Sequence, residues 1–251
     1  MAAPIALQLY TLREAAAKDY NGVVRKVAEI GYKGVEPAGF PGTTAQAAAK
    51  LYAELGLQVT SAHLPLPTGD RKQEALETAQ ALGVKRWVAG LGRDQFGSRE
   101  QIKASCDKFN EASAFAKEHG MVFGIHNHWW EFLEVEGKPV YKTMQEFLDK
   151  DIFFQIDAYW VQTAGPDPVG VIRELGKRVP LIHVKDGPCT REANMQALGE
   201  GITDFKGLVA AAGKNVEWWI VELDRCATDM MEAVEKSYRY MTNNGFAEGN
   251  K

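Results

Sequence analysis

Nowhere in this 251-residue chain do about 18 apolar residues run together, so no membrane-spanning helix is expected. Cysteine is scarce: Cys106, Cys189 and Cys226 are scattered, odd in number and outside any metal-ligand spacing. That pattern excludes a disulfide framework and suits a reducing compartment. Positive charge is in deficit, with 29 Lys and Arg against 33 Asp and Glu, a net charge of −4 and a pI near 5.8. Such a balance argues against an affinity built on neutralising nucleic-acid phosphates. Linker-like stretches are missing too, and 45% hydrophobic composition suffices for one large α/β domain over residues 1–251. No charged n-region or apolar h-region precedes the first strand. A cytoplasmic location is therefore the default, although a removed signal would leave the same start.

What is present is a repeated supersecondary unit. Helix-like segments end in Gly31, Gly56, Gly83, Gly120, Gly176 and Gly213, each directly before an apolar strand. Glycine at such a place suits the left-handed conformation of a helix C-terminus. Strands are expected to begin near Ile5, Tyr32, Leu57, Val84, Val122, Ile152, Pro180 and Trp218, at intervals of roughly 26 to 38 residues, the length of a βα unit. Between them, helical apolar spacing shows in Val23, Val24, Val27 and Ile30 and again in Leu51 and Leu55. Ser98 with Gln101, and Asp167 before Pro168, read as helix starts. Strands apolar on both faces and separated by helices indicate a parallel sheet. The pattern predicts an α/β fold, a single-domain (β/α)8 TIM barrel, with a doubly wound open sheet as the competing architecture.

In such barrels the chemistry sits at the C-terminal ends of the strands. Here those ends carry Gln8 and Tyr10, Glu36, His63, His126 and His128, Asp157 and Trp160, His183 and Lys185, and Glu222 and Asp224. Glu131, Asp157, His183 and Glu222 lie at or just past the apolar runs Val122–Ile125, Ile152–Ile156, Pro180–Ile182 and Trp218–Val221. Three carboxylates and one imidazole suit a divalent metal ion such as Mn²⁺, Mg²⁺ or Co²⁺. His126 and His128, two apart on a strand, project to one side, so one could act on protons while the other orients substrate. Trp130 and Trp160 suit the flat apolar face of a small-molecule substrate, and Glu36, His63 and Lys185 complete the expected substrate contacts. Plainer roles exist: His63 could cap its strand, Lys185-Asp186 could be a local ion pair, and Trp218 and Trp219 should be packing residues. Gly199-Glu200-Gly201 reads as a turn whose Glu approaches the site.

The order of the motifs Gln8–Arg13, Gly34-Val35-Glu36, His126-Asn127-His128-Trp129-Trp130-Glu131-Phe132, Ile156-Asp157, His183-Val184-Lys185-Asp186, Gly199-Glu200-Gly201 and Val221–Asp224 resembles the xylose-isomerase-like TIM-barrel superfamily of sugar isomerases and epimerases. The resemblance implies metal ligands that are Glu, Asp, His and Glu after the fifth to eighth strands. Asp157, His183 and Glu222 carry over directly. The first ligand departs: the family's Glu position falls on His126, and the nearest carboxylate is Glu131. Either Glu131 reaches back to complete the set, or His126 binds the ion and Glu131 contacts substrate. The first assignment is preferred because hard cations favour oxygen.

A dication chelated by a sugar's carbonyl and neighbouring hydroxyl would acidify the adjacent C–H and stabilise an enediolate; the resemblance implies Glu222 as first candidate base, and His126 or His128 could be the second acid/base group. The expected function is a divalent-metal-dependent sugar or keto-sugar isomerase or epimerase. β-Elimination by a dehydratase or lyase acting on a keto-sugar or keto-inositol shares that intermediate and is the alternative. A non-catalytic sugar-binding barrel is a third reading. An abasic-site endonuclease, with about three zinc ions and many histidines, is disfavoured by five histidines and an acidic balance. The partners expected are a small-molecule carbohydrate and, as assembly, a homodimer, with neither nucleic acid nor membrane.

Overall fold

The computed structural model describes residues 2–251. Nine parallel strands form one sheet: β1 (Ile5–Gln8), β2 (Gly34–Glu36), β3 (Gln58–Val59), β4 (Ala62–His63), β5 (Arg86–Ala89), β6 (Val122–His126), β9 (Phe153–Asp157), β10 (Leu181–Val184) and β11 (Trp218–Val221). A two-stranded antiparallel hairpin, β7 (Glu134–Val135) with β8 (Lys138–Pro139), interrupts that series after β6. Glu136 and Gly137, both at positive φ (53° and 78°), form its two-residue turn. The helices are α1 (Arg13–Ile30), α2 (Ala45–Glu54), α3 (Lys72–Leu82), α4 (Arg99–Glu118), α5 (Val140–Phe147), α6 (Ala158–Ala164), α7 (Pro168–Leu175), α8 (Phe205–Ala212) and α9 (Met230–Asn243). Among the described residues no helix is long and apolar enough to cross a membrane.

The expected eight-unit barrel is the observed fold, and the ninth strand arises because the third unit's strand is broken at Thr60-Ser61. β3 pairs with β2 and β4 with β5, and the break is bridged on the β2 side, where Thr60 N donates to Val35 O (3.1 Å) and His63 N to Pro37 O (3.0 Å). The ring closes across the break. Expected and observed strand starts agree within two residues, and Gly31, Gly56, Gly83, Gly120, Gly176 and Gly213 all take positive φ. Ser98 caps α4 by accepting from Gln101 N, and Asp167 caps α7 by accepting from Val169 N and Gly170 N. Gln101 does not return the bond to Ser98; its side chain accepts from Gly97 N instead.

Strand residues two apart face the same way, so each barrel strand stacks inward side chains in tiers. The lower part of the interior is apolar: Ala6, Val88, Phe153, Leu181, Trp218 and Ile220 form a buried cluster of their own. Glycine completes it where bulk meets bulk, since a Cβ on Gly124 would lie 2.2 Å from the Phe153 ring. Outward residues such as Leu7, Val35, Phe123, Ile156, Ile182 and Trp219 pack under the helices in the main core. Both Trp218 and Trp219 are therefore packing residues. The next tiers up are polar, and chemistry is expected there.

Candidate active site

The polar tier rests on Glu36, at the end of β2 and fully buried. Its carboxylate accepts hydrogen bonds from Gln8 Nε2 (2.8 Å), Gln155 Nε2 (2.6 Å), His183 Nε2 (2.6 Å) and Ser61 Oγ. Burial opposes the charge, but His63, His183 and the donors outweigh it and hold the carboxyl down at about 2. Glu36 does not reach the cavity above. The expected substrate contact at Glu36 is corrected accordingly: it is an anchor beneath the site.

Hydrogen-bond polarity propagates upward from this anchor. Because the Gln155 amide nitrogen donates to Glu36, its Oε1 must accept, and it does so from His63 Nε2 (2.6 Å) and His126 Nδ1 (3.1 Å). His126 thus carries its proton on Nδ1 and presents a bare Nε2 lone pair. Burial, reinforced by His183, His63 and His128, lowers its pKa well below the ordinary histidine value and keeps it neutral. Asn127, facing away, clasps β6 to β9 by donating to Asp157 O (3.3 Å) and accepting from Asp157 N (2.9 Å).

At the mouth, ligand atoms of His126, Asp157, His183 and Glu222 lie within 4.8 Å of one another. Asp157 Oδ1 accepts from Trp160 N (3.0 Å) and caps α6, while its buried Oδ2 has no hydrogen-bond partner. Burial pushes the Asp157 pKa up, against the pull of Lys185. His183 is held between Glu36 and Glu222, whose Oε2 meets Nδ1 at 2.8 Å. Burial alone would discharge this ring, yet the two carboxylates raise its pKa to about 10. Burial likewise opposes the Glu222 charge, and Lys185 and His183 overcome it, holding that carboxyl well below the usual range.

Glu131, expected as the fourth ligand, stands outside this group. It is buried on the turn after β6, where Oε2 accepts from His128 N (2.8 Å) and Oε1 lies 3.6 Å from His128 Nδ1. The carboxylate is turned back onto its own loop, and His126 takes the fourth place. A cavity of ≈ 340 Å³ opens above, lined in part by Tyr10, His63, His126, His128, Trp160 and Lys185. Trp130 is not part of the lining; its ring stacks on His128 with centroids 4.0 Å apart, behind the wall. That corrects its expected substrate contact. A larger groove, ≈ 700 Å³, runs between the start of α1 and residues 225–231 but has mixed charge and shares no lining residue with the site.

Lys185 lines the cavity while only 1% exposed. Its Nζ donates to Asp224 Oδ2 (2.6 Å) and stands 2.8 Å from Glu222 Oε2 and 2.9 Å from Asp157 Oδ2. Burial disfavours the ammonium, but the three carboxylates outweigh it and raise its pKa well above the usual lysine value. Lys185-Asp186 is not a local ion pair: Asp186 instead accepts from the backbone N–H of Gly187, Gly199, Gly201 and Thr203. Glu200 is exposed beside Lys236, so the Gly199-Glu200-Gly201 turn does not bring its carboxylate to the site. The sequence reading passed over Gln155 and Ser61. A Gln inside an apolar strand, two residues before Asp157 and on its face, is the signal that could have found the former.

The donor set fits a divalent ion: Asp157 Oδ2 is buried without a hydrogen bond, His126 Nε2 is a free lone pair, and two imidazoles with two carboxylates surround one point. Fold and site together define a βα barrel with a buried N₂O₂ cluster at the C-terminal ends of its strands. The chain belongs to the xylose isomerase-like TIM barrel family, whose model matches residues 24–243. A sugar phosphate isomerase/epimerase from Parabacteroides distasonis ATCC 8503 superposes with a TM-score of 0.84 at 22% identity, over 99% of this chain and 96% of that one. The probable 3-DHS dehydratase AsbF from Bacillus anthracis gives 0.73 at 13% identity, over 96% and 99%. The IOLI protein, solved with a zinc atom, gives 0.74 at 15%, over 97% of this chain and 98% of that one. At such identities these likenesses establish the fold alone. No match is found among curated proteins.

Proposed function

We propose that the protein is a divalent-metal-dependent isomerase or epimerase that removes a proton alpha to the carbonyl of a sugar or keto-sugar, giving an enediolate. The observation that carries this reading is the convergence of His126, Asp157, His183 and Glu222 on one another, with His126 and Glu222 also lining a sugar-sized cavity. With two imidazoles in the set, Mn²⁺, Co²⁺ or Zn²⁺ suits it better than Mg²⁺, which prefers oxygen throughout. When bound, the ion would polarise the substrate carbonyl and stabilise charge developing on its oxygen.

The remaining steps belong to side chains. Glu36 keeps the His183 proton on Nε2 and Gln155 keeps the His126 proton on Nδ1, so the opposite nitrogen of each ring is oriented for the ion. Glu222, the first candidate base from sequence, is hydrogen-bonded to His183, paired with Lys185 and held ionised far below neutrality. Its basicity is correspondingly low. His128, at the cavity wall with no hydrogen-bond partner on Nδ1, is the better proton-transfer group. Trp160 and Tyr10 offer aromatic surface to the sugar, and His63 a polar contact.

The dehydratase reading is supported by the same asymmetry. A 3-epimerase needs an acid/base group on each face of the enediolate, whereas β-elimination needs one base and departure of a hydroxyl. Incubation with a panel of keto-sugars in D₂O and Mn²⁺ or Zn²⁺ tests both. Exchange at the alpha carbon is expected, and His128→Gln should slow it by about 10²–10⁴-fold. Appearance of an unsaturated, ultraviolet-absorbing carbonyl product would select elimination. No exchange from any substrate, with the ion demonstrably bound, overturns the mechanism.

A further inference from the structure

Lys185 is out of place in a site built for a dication. Its ammonium stands 2.9 Å from Asp157 Oδ2 and 2.8 Å from Glu222 Oε2, two of the four donors the ion would use. Yet it makes hydrogen-bond geometry with neither. Its hydrogen bond goes to Asp224 Oδ2 at 2.6 Å, and Asp224 belongs to no ligand group. Asp157 Oδ2 is left buried without a hydrogen bond although a cation lies beside it. The ammonium also lies over the Trp160 ring, with Nζ 5.4 Å from its centroid. A tethered charge leans on the ligand carboxylates here without being bonded to them.

We propose that Lys185 is a built-in placeholder cation: its ammonium neutralises Asp157 and Glu222 until a divalent ion displaces it toward Asp224. The physical ground is that Asp157, Glu222, Glu36 and His183 are all deeply buried. Uncompensated carboxylates there would carry a heavy desolvation cost, which an internal ammonium offsets. The same ammonium repels an incoming dication at close range in a medium of low polarity. Lys185 therefore weakens the metal affinity while preserving the metal-free fold, and Asp224 sets how far the ammonium can retreat. The inference rests on the metal-dependent reading above, and binding measurements separate their failures.

Calorimetric titration of Mn²⁺ into chelator-treated protein supplies the test, with circular dichroism as the check on folding. Lys185→Met should bind the ion about tenfold tighter or more than the wild type, and its metal-free form should melt at lower temperature. Asp224→Asn keeps the lysine but removes the charge it retreats to, so affinity should fall by about tenfold. This second variant keeps the test open if the first does not fold without metal. Wild-type affinity in the folded Lys185→Met protein, or in Asp224→Asn, overturns the placeholder role and leaves the metal-dependent reading standing. Absence of binding to the wild type and to both variants overturns the two together.

Discussion

Glu36 shows how much one buried carboxylate can organise. Four side-chain donors and the His63 ring meet it, and the orientation of both imidazoles at the cluster follows from that meeting. Replacing it by Gln keeps the shape but turns an acceptor of several bonds into a group with two N–H of its own, facing donors. Glu36→Gln should cost about 3–5 kcal/mol of stability, measurable by urea denaturation near neutrality. The pH dependence has a definite sign. Glu36 is depressed from 4.5 to about 2 on folding, so its contribution is present above 4.5 and is lost as pH falls toward 2. The gap between wild type and variant should narrow over that window. A gap unchanged from pH 6 to pH 2.5 would show that the charge on Glu36 is not what matters. At this scale sequence was partly legible. Strand-end placement identified Asp157, His183 and Glu222, but whether Glu131 or His126 stands fourth depended on a hydrogen bond to His128 N that no spacing encodes. Glu36 was found and given the wrong task, because its depth below the mouth depends on barrel geometry.

The segment from Gly187 to Asp204, between β10 and α8, carries no helix or strand of its own, and Asp186 substitutes for one. Its two oxygens accept from four backbone N–H groups, two of them in the Gly199-Glu200-Gly201 turn. Gly201 is obligatory in that arrangement: a Cβ would lie 2.2 Å from Gly187 N and 2.3 Å from Asp186 Oδ1. Met195, in the same segment, packs with Tyr159, Trp160 and Leu223 beside the cavity. Gly201→Ala should therefore loosen the segment and, through Met195, the Trp160 wall. Hydrogen exchange at Gly187, Gly199, Gly201 and Thr203 should accelerate together, with a stability loss of about 1–3 kcal/mol. Acceleration at residue 201 alone would mean that the four bonds are not one unit. Elements were the most legible scale. Helix-ending glycines and apolar runs placed every barrel strand, because both signals are local. The break at Thr60-Ser61 and the β7–β8 hairpin were not visible. Each breaks the αβ rhythm for reasons of ring closure and loop packing that lie outside the local pattern.

Across the whole molecule, the cluster draws one donor from each of four adjacent strands, β6, β9, β10 and the end of β11. Barrel closure is what turns four distant sequence positions into neighbours, and this is why the repeat, once read, already implied a common mouth. An ion bound there would cross-link almost half the ring, and it can do so only in the folded state. Mass action then stabilises the fold by about 2.7 kcal/mol at a free ion concentration one hundred times Kd. For a chain of this size that corresponds to a rise in Tm of roughly 5–11 °C. Differential scanning calorimetry with Mn²⁺ or Zn²⁺ should show the rise, and excess chelator should reverse it. Asp157→Asn retains the cap on α6 through its side-chain oxygen but removes the ligand charge, so its barrel should fold and its Tm should no longer respond to the ion. A full metal-induced rise in that variant would place the ion elsewhere in the molecule, because within the cluster Asp157 Oδ2 is the carboxylate oxygen left buried without a hydrogen bond.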